Sequence, residues 1–507
     1  MNNLDALEQK SPLFALELRT ENRREVPLKD FPLPKEETLA LYLYALGPLP
    51  WQEKILKWLE ENPQRRIYLI PEDPQILHHL SLPLMEHSRL KIGAEYRPYA
   101  WEHLFKPWEL LGGDPQTIGE WILGTELTLC LYNDFGVPLM HNVFENLLME
   151  GEVRKGDALE GKFRGIPAIV CGAGPSLGDR LEELKQVQGR ALIIGGGSAL
   201  APLSRAHIPI HFAAALDPDP PTERFYRQNH FETPLFYQNQ VSHHLLKHHH
   251  GPKLCLGQSG SFVLEEWLTE KLALTPRDVG WNVSTFSTMI AAFLGCDPIY
   301  FVGLDLCVYD EASYVEGVEG MDERLNPISM KDRLGNVVFT RPDFLMSKRW
   351  LEEFAKKHPH LTFINATTRG LPLEGIQDGP LMVSTHSVDL CAKVHQKVMA
   401  APMLDFSSLP EKFELLEESL KKTHAILQEY MDALERKQNT VLQECELEEQ
   451  LFYLDHLMPL WKVWRNLLQT EDIVERMSDP PYEKKLQEVL FYQDVTEKFC
   501  HARSVSI

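Results

Sequence analysis

The 507 residues include 51 Lys and Arg against 73 Asp and Glu, a formal net charge of −22 at pH 7. A chain this acidic would repel a nucleic-acid backbone and an anionic membrane surface, so neither is expected as a partner. Hydrophobic residues make up 44% and charged residues 24%, which excludes wholesale disorder. The eight cysteines form no CxxC pair, which indicates reduced thiols and a cytoplasmic protein, and no apolar run is long enough to span a bilayer.

The length predicts two or three domains, because single cores rarely grow beyond about 250 to 300 residues. The first 35 or so residues mix charges with prolines and are expected to form an irregular arm. A strand, a helix and a second strand then follow between Leu41 and Ile70, and they predict an N-terminal α/β domain over residues 1–150. Its first loop holds one glycine and two prolines, so we interpret this domain as a degenerate nucleotide-binding unit.

The clearest pattern begins at Gly165, where short loops separate strands and helices in strict alternation. This order predicts a parallel sheet, and a Rossmann-like domain over residues 151–385. Its predicted elements are strands at 166–170, 191–194, 211–216, 299–302 and 361–364, and helices at 177–186 and 199–206.

Beyond residue 400 glycines disappear and apolar residues take heptad-like spacing from Phe413, which predicts an α-helical domain over residues 400–507. That spacing is compatible with an oligomer and equally with helix packing inside one chain. The predicted fold class is therefore α/β, with a central Rossmann-like parallel sheet between an N-terminal α/β domain and a C-terminal helical domain.

A glycine-containing turn, Cys171-Gly172-Ala173-Gly174-Pro175-Ser176-Leu177, joins a predicted strand to a predicted helix. Such a turn places backbone N–H groups beside the positive end of the helix dipole and can bind an anion. Gly172 and Gly174 permit the tight backbone, and Ser176 suits the helix start. The sequence therefore predicts a phosphate site here, with an ordinary tight connection as the alternative.

The neighbouring strand ends in a second loop, Gly195-Gly196-Gly197-Ser198, so both loops would face one crevice at the carboxyl edge of the sheet. Asp217 follows the third strand and can accept from ribose hydroxyls. With Asp219 it can also hold a divalent metal, which the chemistry does not require. The run Asp217-Pro218-Asp219-Pro220 is equally compatible with a capped turn.

Small polar residues follow the later strands or open the helix between them. They can contact substrate or cap a helix. Five histidines between His243 and His250 could attract a transition metal, but they lie on one segment with no carboxylate or cysteine ligand, so no metal site is predicted. The polar positions singled out are Asn282, Ser284, Asp305, Asn365 and Thr367.

Four segments together resemble the motility-associated-factor (Maf) glycosyltransferases. In order they are Ile166-Pro167-Ala168-Ile169-Val170 with the glycine turn, Ala214-Ala215-Leu216-Asp217-Pro218, Leu294 to Leu306, and Ile364-Asn365-Ala366-Thr367. The resemblance covers residues 160 to 380. A shorter resemblance, through the glycine turn, is to the archaeal type of 6-hydroxymethylpterin diphosphokinase.

The first resemblance implies a sialyltransferase-like core. Such an enzyme transfers a nonulosonic acid, of the pseudaminic or legionaminic type, from its CMP-activated form to Ser or Thr hydroxyls of a protein such as flagellin. It implies no tightly bound cofactor. The implied roles are phosphate binding for Gly172, Gly174 and Ser176, nucleotide binding for Gly196, Ser198 and Asp217, and sugar or acceptor binding for Asn282, Ser284, Asp305, Asn365 and Thr367.

The chain departs from the family pattern at the positions that would deprotonate an acceptor hydroxyl. Tyr314 stands near the place of a family histidine, and Thr368 and Arg369 stand where the family has glutamate and glycine. Asp305 and Tyr314 are the candidate catalytic residues that remain. Two alternatives therefore stay open, a nucleotide- or partner-binding protein without transferase activity and a 6-hydroxymethylpterin diphosphokinase.

Overall fold

The computed structural model describes residues 3–20, 22–36, 38–71, 73–92, 108–112, 138–139, 141–147, 153–220, 228–259, 263–309, 328–383, 389–406, 409–458, 460–461 and 481–502. The chain divides into two compact units, one of residues 1–132 and 462–481 and the other of residues 133–461 and 482–507. The sequence-based boundaries of three domains stay a prediction.

The smaller unit is built on a four-stranded parallel sheet in the order β3-β2-β1-β4. Helix α3 covers it with a stripe that includes Trp51, Ile55 and Leu59, residues at helical spacing. The acidic side chain after the second strand, Asp73, accepts from the N–H of Gln75 and pairs with Arg24. The described elements are β1 (Ala40–Leu43), β2 (Arg66–Leu69), β3 (Leu90–Ile92), β4 (Trp108–Leu111), α1 (Asn3–Lys10), α2 (Pro12–Thr20), α3 (Leu49–Glu61) and α4 (Leu82–Glu86).

The predicted irregular arm is wrong over its first half, where α1 and α2 lie. Their apolar side chains, among them Leu7, Phe14 and Leu18, are buried in the core of the smaller unit. Lys10 closes α1 by donating to the carbonyls of His87 and Leu90 at 2.6 and 2.8 Å. The described residues 22–36 are irregular, as expected from their prolines.

The larger unit contains a nine-stranded sheet in the order β17-β16-β13-β6-β7-β8-β9-β10-β5, in which all pairings are parallel. This confirms the predicted α/β fold class. The strands of the unit are β5 (Val153–Lys155), β6 (Ala168–Cys171), β7 (Leu192–Gly196), β8 (Phe212–Ala215), β9 (Leu235–Tyr237), β10 (Lys253–Cys255), β11 (Gly257–Gln258), β12 (Pro276–Arg277), β13 (Ile299–Val302), β14 (Ile328–Lys331), β15 (Val337–Thr340), β16 (Phe363–Asn365) and β17 (Gln377–Asp378).

Helices of the larger unit follow the strands and supply its outer layers and its C-terminal part. They are α5 (Leu177–Gln186), α6 (Leu200–Arg205), α7 (His243–His248), α8 (Val263–Lys271), α9 (Val283–Phe293), α10 (Pro342–Lys357), α11 (Leu390–Met399), α12 (Pro410–Glu435), α13 (Val441–Glu448) and α14 (Pro481–Ala502). None of the helices that the structure describes has the length and apolar character needed to cross a bilayer.

The central strands β6, β7, β8 and β13 are buried along their whole length, as their unbroken apolar sequences require in a sheet covered on both faces. Helix α9 packs on this sheet through Phe286 and Ile290, and Leu294 directly after the helix joins them; all three are fully buried. The packing fixes the carboxyl ends of these strands, and so fixes the loops that follow them.

A short π-helix in the C-terminal helical region, Tyr453–Leu457, carries a buried histidine. The His456 ring lies among Phe144, Phe452 and Phe499, with ring centroids 5.8, 5.2 and 6.5 Å away. Neither ring nitrogen has a hydrogen-bond partner among the described residues. Burial lowers the pKa of His456 to about 3.

His456→Phe should make the protein more resistant to acid. The unfolded chain protonates this histidine below its ordinary pKa of 6.5, whereas the fold resists protonation until about 3, so stability is lost as pH falls from 6.5. The loss amounts to about 3 kcal/mol by about pH 4. Unfolding measured against pH should show a shallower acid limb for His456→Phe and the wild-type limb for a control at the exposed His395 on α11, His395→Gln. An unchanged limb in both variants would contradict this assignment.

Candidate functional site

The strand order reverses direction between β6 and β13, because β7 to β10 extend to one side of β6 and β16 and β17 extend beyond β13. In open parallel sheets the crevice at such a point, outside the carboxyl ends of the strands, is where ligands bind. The glycine turn after β6 and the segment Gly303-Leu304-Asp305 after β13 meet there.

Asp305 occupies the N-terminus of α5, where the sequence predicts a phosphate. Its Oδ2 accepts from the backbone N–H of Ser176 at 2.8 Å, and its Oδ1 accepts from the Ser176 hydroxyl. Both residues are buried, Asp305 at 1% exposure and Ser176 at 0%. The positive end of the helix is thus matched by a carboxylate of the chain itself.

The backbone donors of the glycine turn also bond within the protein. The N–H of Gly172 donates to the carbonyl of Val302, and that of Gly174 to the carbonyl of Gly303, each at 2.8 Å. A Cβ on Gly174 would lie 2.7 Å from the Asp305 carboxylate, and one on Gly172 would overlap the Gly303 carbonyl. Close approach of two loops explains both glycines, and their predicted phosphate contact stays a prediction.

Asp305 ties three loops together at this edge. Its carbonyl accepts from the N–H of Leu371, and its Cα stands 2.7 Å from where a Cβ of Gly370 would be. Burial raises the pKa of the Asp305 carboxyl to about 6, against the opposing effect of its two bonds from Ser176. The described surroundings of Asp305 thus bury its side chain, and its predicted contact with sugar, acceptor or hydroxyl proton stays a prediction.

The second predicted loop begins later than expected, because Gly195 and Gly196 belong to β7 and Gly197 opens a single turn of 3₁₀-helix before α6. A Cβ on Gly196 would overlap the carbonyl oxygen of Ala214, and Val283 at the start of α9 lies beside it. Gly197 has a φ of +51° and is exposed, and Ser198 is half-buried. The start of α9 and the Gly196–Ser198 segment therefore meet at one place.

Gly196→Ala should destabilise the larger unit by about 2 to 4 kcal/mol, because the added methyl must displace backbone in β8. Gly195→Ala is the matched control, since its Cβ would meet nothing closer than the Leu203 side chain at 3.4 Å. Thermal unfolding of the two variants checks this contrast. Equal losses at both positions would show that the β7–β8 contact does not require glycine at 196.

Asn282 caps α9. Its Oδ1 accepts from the N–H of Ser284 and Thr285 at 2.9 and 3.1 Å, the Thr285 hydroxyl accepts from the N–H of Asn282, and the Asn282 amide donates to the Ser347 hydroxyl at 2.6 Å. The capping alternative is thus observed for Asn282. Ser284 is half-buried in the first turn, beside Val283. Substrate contact by either residue stays a prediction.

Asp217 is exposed just after β8 and accepts from the N–H of Asp219 at 3.1 Å. The capped-turn alternative is therefore observed at this position. The Asn142 amide donates to the Pro218 carbonyl at 2.8 Å and so holds this turn against the helical segment 141–147. Within the described ranges, no group of three or more His, Cys, Asp or Glu side chains is arranged to hold a metal ion.

The loop after β16 places Asn365 and Thr367 inside the protein, at 1% and 3% exposure. The Asn365 Oδ1 accepts from the N–H of Thr367 at 3.1 Å, so this pair shapes the loop. The next residue, Thr368, is half-buried, and its hydroxyl donates to Oδ2 of Asp179 at 2.6 Å. Asp179 is exposed in the first turn of α5. The second candidate catalytic residue, Tyr314, lies outside the described residues.

Sequence reasoning missed Asp179. The residue that orients it, Thr368, is 189 positions away in the chain, so no local motif joins them. An acidic residue in the first turn of a helix is ordinary in sequence, because it favours the helix dipole. Its exposure at the carboxyl edge of the sheet is what singles it out.

Comparison with known proteins finds a matching family model and solved structures of similar fold. A model described as "6-hydroxymethylpterin diphosphokinase MptE-like" matches residues 140–311. No curated protein matches the chain. The structure of a Maf glycosyltransferase from Magnetospirillum magneticum AMB-1 is similar with a TM-score of 0.51 and 14% sequence identity, covering 98% of this chain and 94% of that chain. The predicted resemblance to Maf glycosyltransferases is thus confirmed at the level of the fold.

Proposed function

We propose that the chain transfers a nonulosonic acid of pseudaminic or legionaminic type from a CMP-activated donor to Ser or Thr hydroxyls of an acceptor protein such as flagellin. The observation that carries this proposal is the fold shared with a Maf glycosyltransferase along 98% of the chain. The sequence resemblance, over residues 160 to 380, supports it independently of the fold comparison. The reaction takes place in solution and uses no tightly bound cofactor.

The donor site of this proposal lies where Gly196, Gly197 and Ser198 meet the start of α9. Two helix starts converge there, and their dipoles favour the phosphate of the donor and of the departing CMP. Asp217, exposed beside this place, accepts from the ribose hydroxyls. The glycine turn after β6 acts in this proposal as a structural neighbour of the donor site. Its N–H groups at Gly172, Gly174 and Ser176 already bond within the chain.

The transfer is a displacement at the anomeric carbon. A bond forms between that carbon and the acceptor oxygen, the bond to the CMP phosphate oxygen breaks, and CMP leaves with the electron pair. The proton of the acceptor hydroxyl passes to Asp179, an exposed carboxylate held in place by the Thr368 hydroxyl. No residue at the family's glutamate position is required for this step.

Calorimetric titration with CMP tests the donor site. Wild-type protein should bind CMP, and Asp217→Ala should bind it about 10-fold more weakly, because a bond to the ribose is lost. Asp219→Ala, two residues further along the same turn, is the control and should bind CMP like the wild type, since it keeps the backbone N–H that bonds Asp217. Absence of CMP binding by the wild type would refute the donor site.

A second candidate, 6-hydroxymethylpterin diphosphokinase, is favoured by the family model that matches residues 140–311. That enzyme would transfer a diphosphate from ATP to the pterin hydroxyl and release AMP. Incubation with ATP and the hydroxymethylpterin separates the two functions, since AMP formation that depends on the pterin would establish the kinase. Consumption of neither ATP nor the CMP-activated sugar would favour the remaining alternative, a nucleotide- or partner-binding protein without transferase activity.

A further inference from the structure

Two arginines contact the loop 366–370 at the carboxyl edge of the sheet, and a third belongs to the loop itself. The first two have carboxylate partners. Arg180 donates to the Ala366 carbonyl at 3.1 Å and pairs with Glu183. Arg333 donates to the Thr367 carbonyl and pairs with Asp378 at 2.9 Å. These two side chains fix the loop, and their charges are matched.

The third, Arg369, has no such acceptor among the described residues. Its guanidinium lies over the ring of Tyr309, 5.0 Å from the centroid, and its Nε is buried with no hydrogen-bond partner. The face of an aromatic ring attracts a cation but does not replace the five hydrogen bonds that a guanidinium can donate. A buried Nε in a half-buried guanidinium that lacks an acceptor among the described residues costs stability, and an added acceptor would offset that cost.

The surroundings of Arg369 place that acceptor beside the proposed chemistry. Thr368, the preceding residue, holds Asp179. Asp305, whose pKa the Arg369 charge lowers in part, is committed to Ser176 and buried, so it does not form an ion pair with Arg369. Arg369 thus directly follows the residue that holds the proposed base, and its Nε has no acceptor among the described residues.

We propose that Arg369 binds an oxyanion of the substrate, a carboxylate or a phosphate, through the planar fork of its guanidinium. Such a fork matches both anions with two parallel hydrogen bonds, and the Tyr309 ring holds it in position. This inference rests on the proposed function, which it deepens by adding an anion subsite next to Asp179. The two sources of the oxyanion are the donor phosphate and the carboxylate of the transferred sugar acid.

Titration of the full chain with four probes tests the subsite. They are CMP, cytidine, N-acetylneuraminate and inorganic phosphate, each applied to wild type, Arg369→Gln, Arg369→Lys and the control Arg436→Gln, which removes an exposed charge just after α12. Loss of about 10- to 100-fold in CMP affinity by Arg369→Gln, with cytidine unchanged, would assign the phosphate. If Arg369→Gln instead loses affinity for N-acetylneuraminate alone, the oxyanion that Arg369 binds is the carboxylate of the sugar acid. Arg369→Lys should recover part of either loss, because it keeps the charge without the fork.

Wild-type binding of all four probes by Arg369→Gln would overturn the subsite, and so would equal losses in Arg436→Gln. Thermal unfolding of each variant shows whether it is folded. If the wild type binds neither CMP nor cytidine, the proposed function fails. The other two probes, N-acetylneuraminate and inorganic phosphate, then decide the subsite. It is supported if the wild type binds either probe and Arg369→Gln does not, and it is overturned if the wild type binds neither.

Discussion

Asp305→Ala should lower the free energy of unfolding of the larger unit by about 3 kcal/mol, measured by calorimetry or by chemical denaturation. The substitution leaves the Ser176 N–H and hydroxyl buried without their acceptor, and it removes the carboxylate from the N-terminus of α5. It also leaves a space beside Gly174 that the surrounding loops cannot fill. The three loops that Asp305 joins should then loosen together.

Asp305→Asn is the companion variant, because it keeps the shape and one acceptor. The pKa of Asp305 is raised from 3.8 to about 6, so its contribution to stability is fully present below 3.8 and is lost as pH rises through 6. The stability of wild type relative to Asp305→Asn should therefore fall by about 2 to 3 kcal/mol between about pH 4 and pH 7. A pH-independent difference would contradict the raised pKa of the buried carboxyl, and an Asp305→Ala as stable as the wild type would contradict the capping role.

Asp179→Asn should lower kcat for transfer by about 100-fold or more, because the amide cannot take the proton of the acceptor hydroxyl. KM for the donor should change little, since the proposed donor contacts lie at Gly196–Ser198 and Asp217. Steady-state rates, with intact mass of the acceptor as the readout, measure both constants. Stability should change by less than about 0.5 kcal/mol, because the side chain is exposed.

Two variants accompany this measurement. Thr368→Val removes the hydroxyl that orients Asp179 but leaves the base, so its loss in kcat should be smaller. Asp432→Asn removes an exposed carboxylate on α12, in an ion pair with Arg436, and should keep the wild-type rate. A wild-type kcat in Asp179→Asn would show that another group accepts the proton.

Helices and strands whose own residues show a clear hydrophobic pattern were predicted closely. Helix 177–186 and strand 299–302 have the predicted bounds, because a short unbroken apolar run is typical of a buried strand and one apolar face gives a helix its period. The parallel arrangement of the core strands also followed from the short loops between alternating strands and helices. The arm failed because α1 and α2 are short and rich in charges, and their helicity depends on packing against the rest of the unit.

The sequence predicted where in the sheet the candidate site lies, but it did not predict which residues contact each other there. The glycine turn lies at the expected edge of the sheet, yet its anion is Asp305, 129 residues from Ser176. Separation in the chain also hides the partners of Gly172 and Thr368, since each contact joins segments that only the fold brings together. A single sequence shows which residue types stand at strand ends, and the fold decides which of their polar groups are already used.

The most direct test of the proposed transferase is intact-mass analysis of an acceptor protein, such as flagellin, incubated with the purified chain and a CMP-activated nonulosonic acid. The proposal predicts that the acceptor mass rises by whole sugar increments, that CMP is released in equal amount, and that both signals fall in Asp179→Asn. An acceptor mass that stays unchanged across pseudaminic and legionaminic donors, with no CMP released, would contradict it.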